Sequence, residues 1–241
     1  MFREYRAPLR RDAPDRLELG AGLVEFDERG LSLRFDERTS PFPRPRSRRL
    51  EGSLRLEAES EPSAGPYALD TRGAHLWWPV FGRARLRVDV PAERLGWSGW
   101  GYHDANAGDA PLGRAFGAWS WGRFHVGDET IVTYDARPRA GACSPLALAI
   151  GPGGGAAPFE GPTEAFACGR TAWGLPVSVR AERGAAPALG RALEDGPFYA
   201  RHLVASSFRG RRVEGICETL SLERFEAPWV RFLLPFRLRR A

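Results

Sequence analysis

The chain is 241 residues long, 43% hydrophobic and 27% charged, which gives room for one large or two modest domains and argues against wholesale disorder. Its formal net charge is +5 and it has no lysine, but its arginines are interleaved with Asp and Glu along most of the chain. That dispersion argues against nucleic acid as a partner, which calls for a one-sign stripe or a known module.

Taken in order, the chain opens on arginines among apolar residues, Arg3, Arg6, Arg10 and Arg11, and closes in the same way on Arg231, Arg237, Arg239 and Arg240. Such ends suit peripheral contact with an anionic bilayer, and equally two solvated termini. Leu17 to Leu56 alternates apolar and polar residues, as in Val24-Glu-Phe-Asp-Glu28 and Leu31-Ser-Leu-Arg-Phe35, the pattern of half-buried antiparallel strands. The prolines of Ser40 to Ser47 exclude a central strand there.

After a turn at Glu61 to Pro66 comes the focal stretch, Gly73 to Trp121, with six of the eight tryptophans; counted on to His125, it holds three of the four histidines. Strand patterns resume at Thr130–Tyr134, Leu146–Ile150, Val177–Ala181, Ala200–Phe208 and Arg212–Leu222. Gly151-Pro-Gly-Gly-Gly155 lacks the Lys-Ser/Thr of a phosphate loop and reads as a plain turn. One short helix is expected near Ala188 to Asp195, stopped by Gly196-Pro197. Many short strands with almost no helical period predict an all-β sandwich or barrel.

Cys143, Cys168 and Cys217 form no Cys-x-x-Cys pair, so reduced thiols and a cytoplasmic setting are expected. No apolar run approaches the roughly 20 residues of a membrane-spanning helix, and the N-terminus does not open as a signal peptide.

In an extended strand, residues two apart share a face. His75 and Trp77 therefore point one way, and so do Trp100, Tyr102 and Asp104. If the two faces meet, one carboxylic acid sits in a box of indole, phenol and imidazole. Burial there favours the neutral acid, and the ring faces stabilise a cation on a bound molecule. The combination suits protonation of an unactivated carbon–carbon double bond, with Asp104 as donor. Trp78 and His103 fall on the opposite faces, while Trp119 and Trp121 share a face and extend the aromatic wall or pack a core. Histidine spacing supplies no His-x-His or His-x-x-x-His pair for a metal, and there is no Gly-x-Ser-x-Gly nucleophile elbow.

The strings His75-Leu-Trp77, Gly101-Tyr-His-Asp-Ala-Asn-Ala-Gly-Asp109, Trp119-Ser-Trp121, Glu194-Asp-Gly-Pro-Phe-Tyr-Ala-Arg201 and Glu218-Thr-Leu-Ser-Leu-Glu-Arg-Phe225 resemble the carotenoid 1,2-hydratase family, also called hydroxyneurosporene synthases. The likeness runs from about Leu17 to the C-terminus. It implies two lipocalin-like antiparallel β-barrel lobes, 1–140 and 141–241, the first carrying the site. Relatives begin earlier, so the expectation is either that the first lobe lacks a wall strand or that the start codon is misassigned. The resemblance further implies hydration of the terminal C1–C2 double bond of acyclic carotenoids such as neurosporene or lycopene, without metal or organic cofactor. The site it implies is His75, Trp77, Tyr102 and Asp104, with Asp104 as general acid, Tyr102 and His75 positioning it or the water, and Trp77 shielding the cation; Trp100, Trp119 and Trp121 are expected to line the substrate.

Two other functions fit the same residues. One is a lipocalin-like binder that holds a polyene or lipid unchanged, and the other a terpenoid cyclase or isomerase in which the cation closes a ring because water is kept out. Product mass separates the hydratase from the cyclase, because cyclisation adds no oxygen.

Overall fold

In the computed structural model, which describes residues 2–4, 10–38, 48–141 and 145–240, the chain is all-β with antiparallel sheets. Cys143, Arg6 and the proline segment 40–47 lie outside the described residues. The chain divides into two compact units: Met1–Ser60, Arg83–Tyr102 and Arg231–Ala241 make the first, and Glu61–Gly82 with His103–Val230 the second.

In the first unit, β1 (Phe2–Glu4) precedes the meander β2 (Arg10–Ala13), β3 (Arg16–Leu19), β4 (Gly22–Asp27), β5 (Gly30–Arg38) and β6 (Arg49–Ala58). β7 (Tyr67–Ala68) leads into two long strands, β8 (His75–Val90) and β9 (Leu95–Gly108), which pair with each other and each contribute to both units. β8 pairs with β6 through residues 84–89 and with β7 through Leu76 and Trp77.

The second unit is built on a seven-stranded antiparallel sheet. Its strands are β10 (Phe116–Val126), β11 (Glu129–Pro138), β12 (Leu146–Ile150), β13 (Ala156–Pro158), β16 (Ala188–Asp195), β17 (Tyr199–Phe208) and β18 (Arg211–Ser221), in the order β13-β12-β11-β10-β18-β17-β16. A ribbon of β14 (Thr163–Arg170) and β15 (Pro176–Glu182) forms a separate pair. Alternation along these strands makes the sheet two-faced. Phe124, Ile131, Ala149, Val204, Phe208 and Cys217 turn to one side and form the dry core with Val177, Val179 and Ala181 of β15. Residues one position removed turn to the other side and carry the candidate site. Burial pushes the Cys217 thiol up to about 12, so it is an inert core residue.

Several expectations need correcting. Among the described residues neither large sheet closes on itself: β13 and β16 are edges of one, β2 and β7 of the other, so these are open sheets where closed barrels were expected. The seven-stranded sheet takes strands from both sides of position 140, β10 pairing with β18 and β11 with β12, which is a property of the sheet and not a domain boundary. Residues 188–195 are the edge strand β16, not a helix. Their helix-forming Ala and Leu are overridden by pairing with β17, and the register shifts at Leu189/Ala192 and Ala192/Glu194 blur the alternation that marks a strand.

The helices lie elsewhere: α1 (Leu112–Ala115), α2 (Leu222–Glu226) and α3 (Pro228–Arg237), beside a 3-10 turn at Pro91–Glu93. Ser221 caps α2 by accepting from the Arg224 N–H, and Pro228 opens α3, the preferred chemistries for those positions. β19 (Leu238–Arg240) ends the described chain and pairs in parallel with β1. Among the described residues no helix is long and apolar enough to cross a membrane.

Candidate active site

The site lies on the second face of the seven-stranded sheet, against the second-unit parts of β8 and β9. Trp77 on β8 is fully buried, and Trp78 is half-buried with its indole N–H donating to the Ser63 carbonyl, so the two rings part as alternation requires. The Trp77 indole N–H donates to Asp104 Oδ2 at 2.8 Å. Asp104 is half-buried, and the hydrogen bond fixes one carboxylate oxygen against an aromatic wall.

Behind Trp77 the wall continues. Its ring centroid is 5.2 Å from that of Tyr134 and 6.3 Å from that of Tyr67; Tyr134 lies 5.8 Å from Trp119, which lies 6.4 Å from Tyr199. Burial, then the charges of Asp104 and Glu218, push the Tyr134 hydroxyl far above its ordinary value, so it stays protonated. Tyr199 is raised in the same direction by burial and then by Glu218.

Register explains why these groups meet. Glu194 pairs with Arg201, Arg201 with Glu218, Glu218 with Trp121, Trp121 with Tyr134 and Tyr134 with Leu146, a row across six neighbouring strands on one face. Within it the Arg201 Nε donates to Glu218 Oε1 at 2.8 Å. Trp119 and Trp121 thus share this face with Tyr134, Tyr199, Arg201 and Glu218, which local periodicity did not single out. The strings around Glu218 and Arg201 carried the resemblance, yet nothing in one strand's sequence tells which residue of another lies beside it.

His75 is 4% exposed, and its partners are structural. Its Nδ1 lies 2.8 Å from Asp70 Oδ2 and its Nε2 3.1 Å from the Ala110 carbonyl. Asp70 also accepts from the Arg72 and Ala74 N–H groups, closing the turn before β8. Burial pushes the Asp70 carboxyl upward, but His75 and these N–H groups outweigh it and hold it below the usual carboxylate range. At Gly108 a Cβ would stand 2.8 Å from the His75 ring, so only glycine lets the end of β9 pass so close. The ring is a clasp between the β7–β8 turn and the segment after β9.

His75→Ala, which leaves the Asp70 carboxylate without its imidazole, is expected to cost about 2–3 kcal/mol of stability in urea unfolding. A large loss of turnover with no such cost would assign the ring to the chemistry instead.

The other expected residues are placed as follows. His103 packs its ring 5.9 Å from Phe81, and burial, partly offset by Asp104, holds it below its ordinary value. Tyr102 is half-buried, two residues before Asp104 on β9, and is the last residue of that stretch of the first unit. Trp100 also belongs to the first unit; its ring is 37% exposed and sits between the guanidiniums of Arg83 and Arg85, at 3.7 and 3.9 Å. Among the described residues no three His, Cys, Asp or Glu side chains converge as a metal site.

Comparison with known proteins adds to this geometry. The family model described as "Carotenoid hydratase CrtC" matches residues 1–241, further toward the N-terminus than Leu17. Proteins named acyclic carotenoid 1,2-hydratase are similar to the chain. That of Thiocapsa roseopersicina is 34% identical over 230 residues, and that of Rubrivivax gelatinosus 32% over 231, each match covering 95% of this chain. The chain spans about half of each, 56% and 55% of their lengths. The relative from Cereibacter sphaeroides is 33% identical, with 98% of this chain and 82% of that protein covered. Among solved structures, the crystal structure of CghA with Sch210972 aligns at a TM-score of 0.49 and 13% identity, over 89% of this chain and 74% of that one.

Proposed function

The chain belongs to the carotenoid hydratase CrtC family, and on that premise we propose that it is a carotenoid 1,2-hydratase that works without a cofactor on acyclic carotenoids such as neurosporene or lycopene. The observation that carries the mechanism is the Trp77–Asp104 hydrogen bond, which aims a carboxyl group from an aromatic wall.

Asp104 gives its proton to C2 of the terminal double bond, and the electron pair of that bond leaves C1 as a tertiary cation. Water adds through oxygen to C1, and its surplus proton returns to the Asp104 carboxylate. The product is a tertiary alcohol, and the acid is restored. An apolar polyene laid over Asp104 displaces water from around the carboxyl group before transfer. The face of Trp119 stabilises the cation, while the fully buried Trp77 acts through its indole N–H on Asp104. Tyr134, held protonated, does not compete as a base. His75 holds the β7–β8 turn on which Trp77 depends. The protein meets its substrate from the cytoplasmic side, in peripheral contact with lipid.

Incubation with lycopene in detergent and heavy water tests this. Each processed end gains one water, with deuterium at C2 beside the new alcohol. Pigment recovered unaltered would make the protein a polyene binder, and an isomer without added oxygen would make it a cyclase.

A further inference from the structure

Away from the site, the second unit carries an aromatic ledge. The turn between β14 and β15 is tightly made: Thr171 N donates to the Leu175 carbonyl, Gly174 N to the Thr171 carbonyl, and Ala172 N to Asp195 Oδ2. Its tip, Trp173, nevertheless stands 42% exposed. The Trp173 ring stacks on Trp229 of α3 at 6.4 Å and 18°, and Trp229 is itself 46% exposed. Phe225 of α2 is also exposed, its ring 5.0 Å from Phe198.

Two guanidiniums lock this turn. Arg224 donates to the Trp173 and Gly174 carbonyls at 2.7 and 3.0 Å, and Arg170 donates to Gly174 at 2.9 Å. Both pair with neutral carbonyls, so their positive charge is not cancelled there. Of the carboxylates nearby, Glu226 pairs with Arg139, Asp195 caps the turn, and Glu223 sits exposed in the first turn of α2. In α3, Val230 is fully buried, while Arg231 is exposed and Phe232 is 69% exposed.

A rigid pair of indoles kept half in water, flanked by arginines, matches the boundary between lipid headgroups and acyl chains. Indoles concentrate at that boundary, and guanidiniums pair with phosphates there. We propose that the ledge of Trp173, Trp229 and Phe225, with Arg170 and Arg224, is the surface by which the protein docks on an anionic phospholipid bilayer. This deepens the reading of a polyene hydratase supplied from lipid, and it rests on that reading only for its purpose.

The full chain is sedimented with phosphatidylglycerol vesicles and with phosphatidylcholine vesicles, without carotenoid. Binding to the anionic vesicles should exceed binding to the neutral ones by about tenfold and weaken with salt. Trp173→Ser with Trp229→Ser should lower it by about tenfold, with unchanged circular dichroism and unchanged hydration of lycopene in detergent, whereas Trp173→Phe with Trp229→Phe should keep most of it. Equal binding by the serine variant overturns the proposal, as does equal binding to both lipids. A concentration-dependent dimer that the serine variant abolishes would assign the ledge to a second copy of the chain. Vesicle binding without hydration in detergent would sink the hydratase reading alone.

Discussion

Asp104→Asn should lower lycopene hydration by about 10²–10⁴-fold, the loss expected when a positioned general acid is removed, and should leave the unfolding midpoint within a few degrees of the parent. The separation is sharp because the amide oxygen of asparagine still accepts the Trp77 indole N–H that now meets Asp104 Oδ2. Geometry survives and only the transferable proton is gone. Asp104→Ala should lose the same activity and also some stability, because it leaves a buried indole N–H unpaired. Turnover within tenfold of the parent in the Asn variant would move the acid elsewhere, with Glu218 the first alternative because it faces the same buried phenol.

Arg180→Met should destabilise the second unit by about 3–5 kcal/mol in urea unfolding, the cost of leaving a buried charge without its partner. Arg180 Nε lies 2.6 Å from Asp135 Oδ1, and the two side chains are only 12% and 13% exposed. Burial pushes the Asp135 carboxyl above its ordinary 3.8, and Arg180 offsets only part of that. A carboxyl raised in the folded state binds its proton more tightly there. Its contribution to stability is therefore complete below 3.8 and is lost as pH rises through the folded value. Removing Arg180 takes away the influence that lowers it, so the loss extends to higher pH. The deficit of the variant should accordingly be smaller at pH 5 than at pH 7. Arg180→Met with Asp135→Leu should recover most of the stability, and a deficit that ignores pH would show that Asp135 is not the group left stranded.

What could be read from the sequence was whatever local periodicity encodes. Alternation separated Trp77 from Trp78, set Trp119 and Trp121 on one face, and identified an all-β chain with its strands near Leu146–Ile150 and Ala200–Phe208. Periodicity failed where long-range pairing decides. Residues 188–195 read as helix because their propensity favours one, and the C-terminal helices went unnoticed although Ser221 and Pro228 mark their starts. The partners of His75 illustrate the same limit. Asp70 stands five residues before it, but the Ala110 carbonyl is 35 residues away and meets it only because β9 returns along β8. Tyr134 and Glu218 lie on β11 and β18, strands separated by β10, and only the strand order brings them to one wall.

The two-sidedness of β10 sets what kinds of change the protein tolerates. Trp119 and Trp121 alternate with Gly122, Phe124 and Val126, so each second letter serves the aromatic wall and the letters between serve the oily interior. Swapping one tryptophan for another large ring tunes the wall and leaves the interior alone. Inserting or deleting a single codon within 119–126 slides every later side chain to the wrong side, driving indoles inward and phenylalanine outward. Libraries that reshape the aromatic wall should therefore vary this strand by substitution and place length changes in the Gly127-Asp128 turn that follows it.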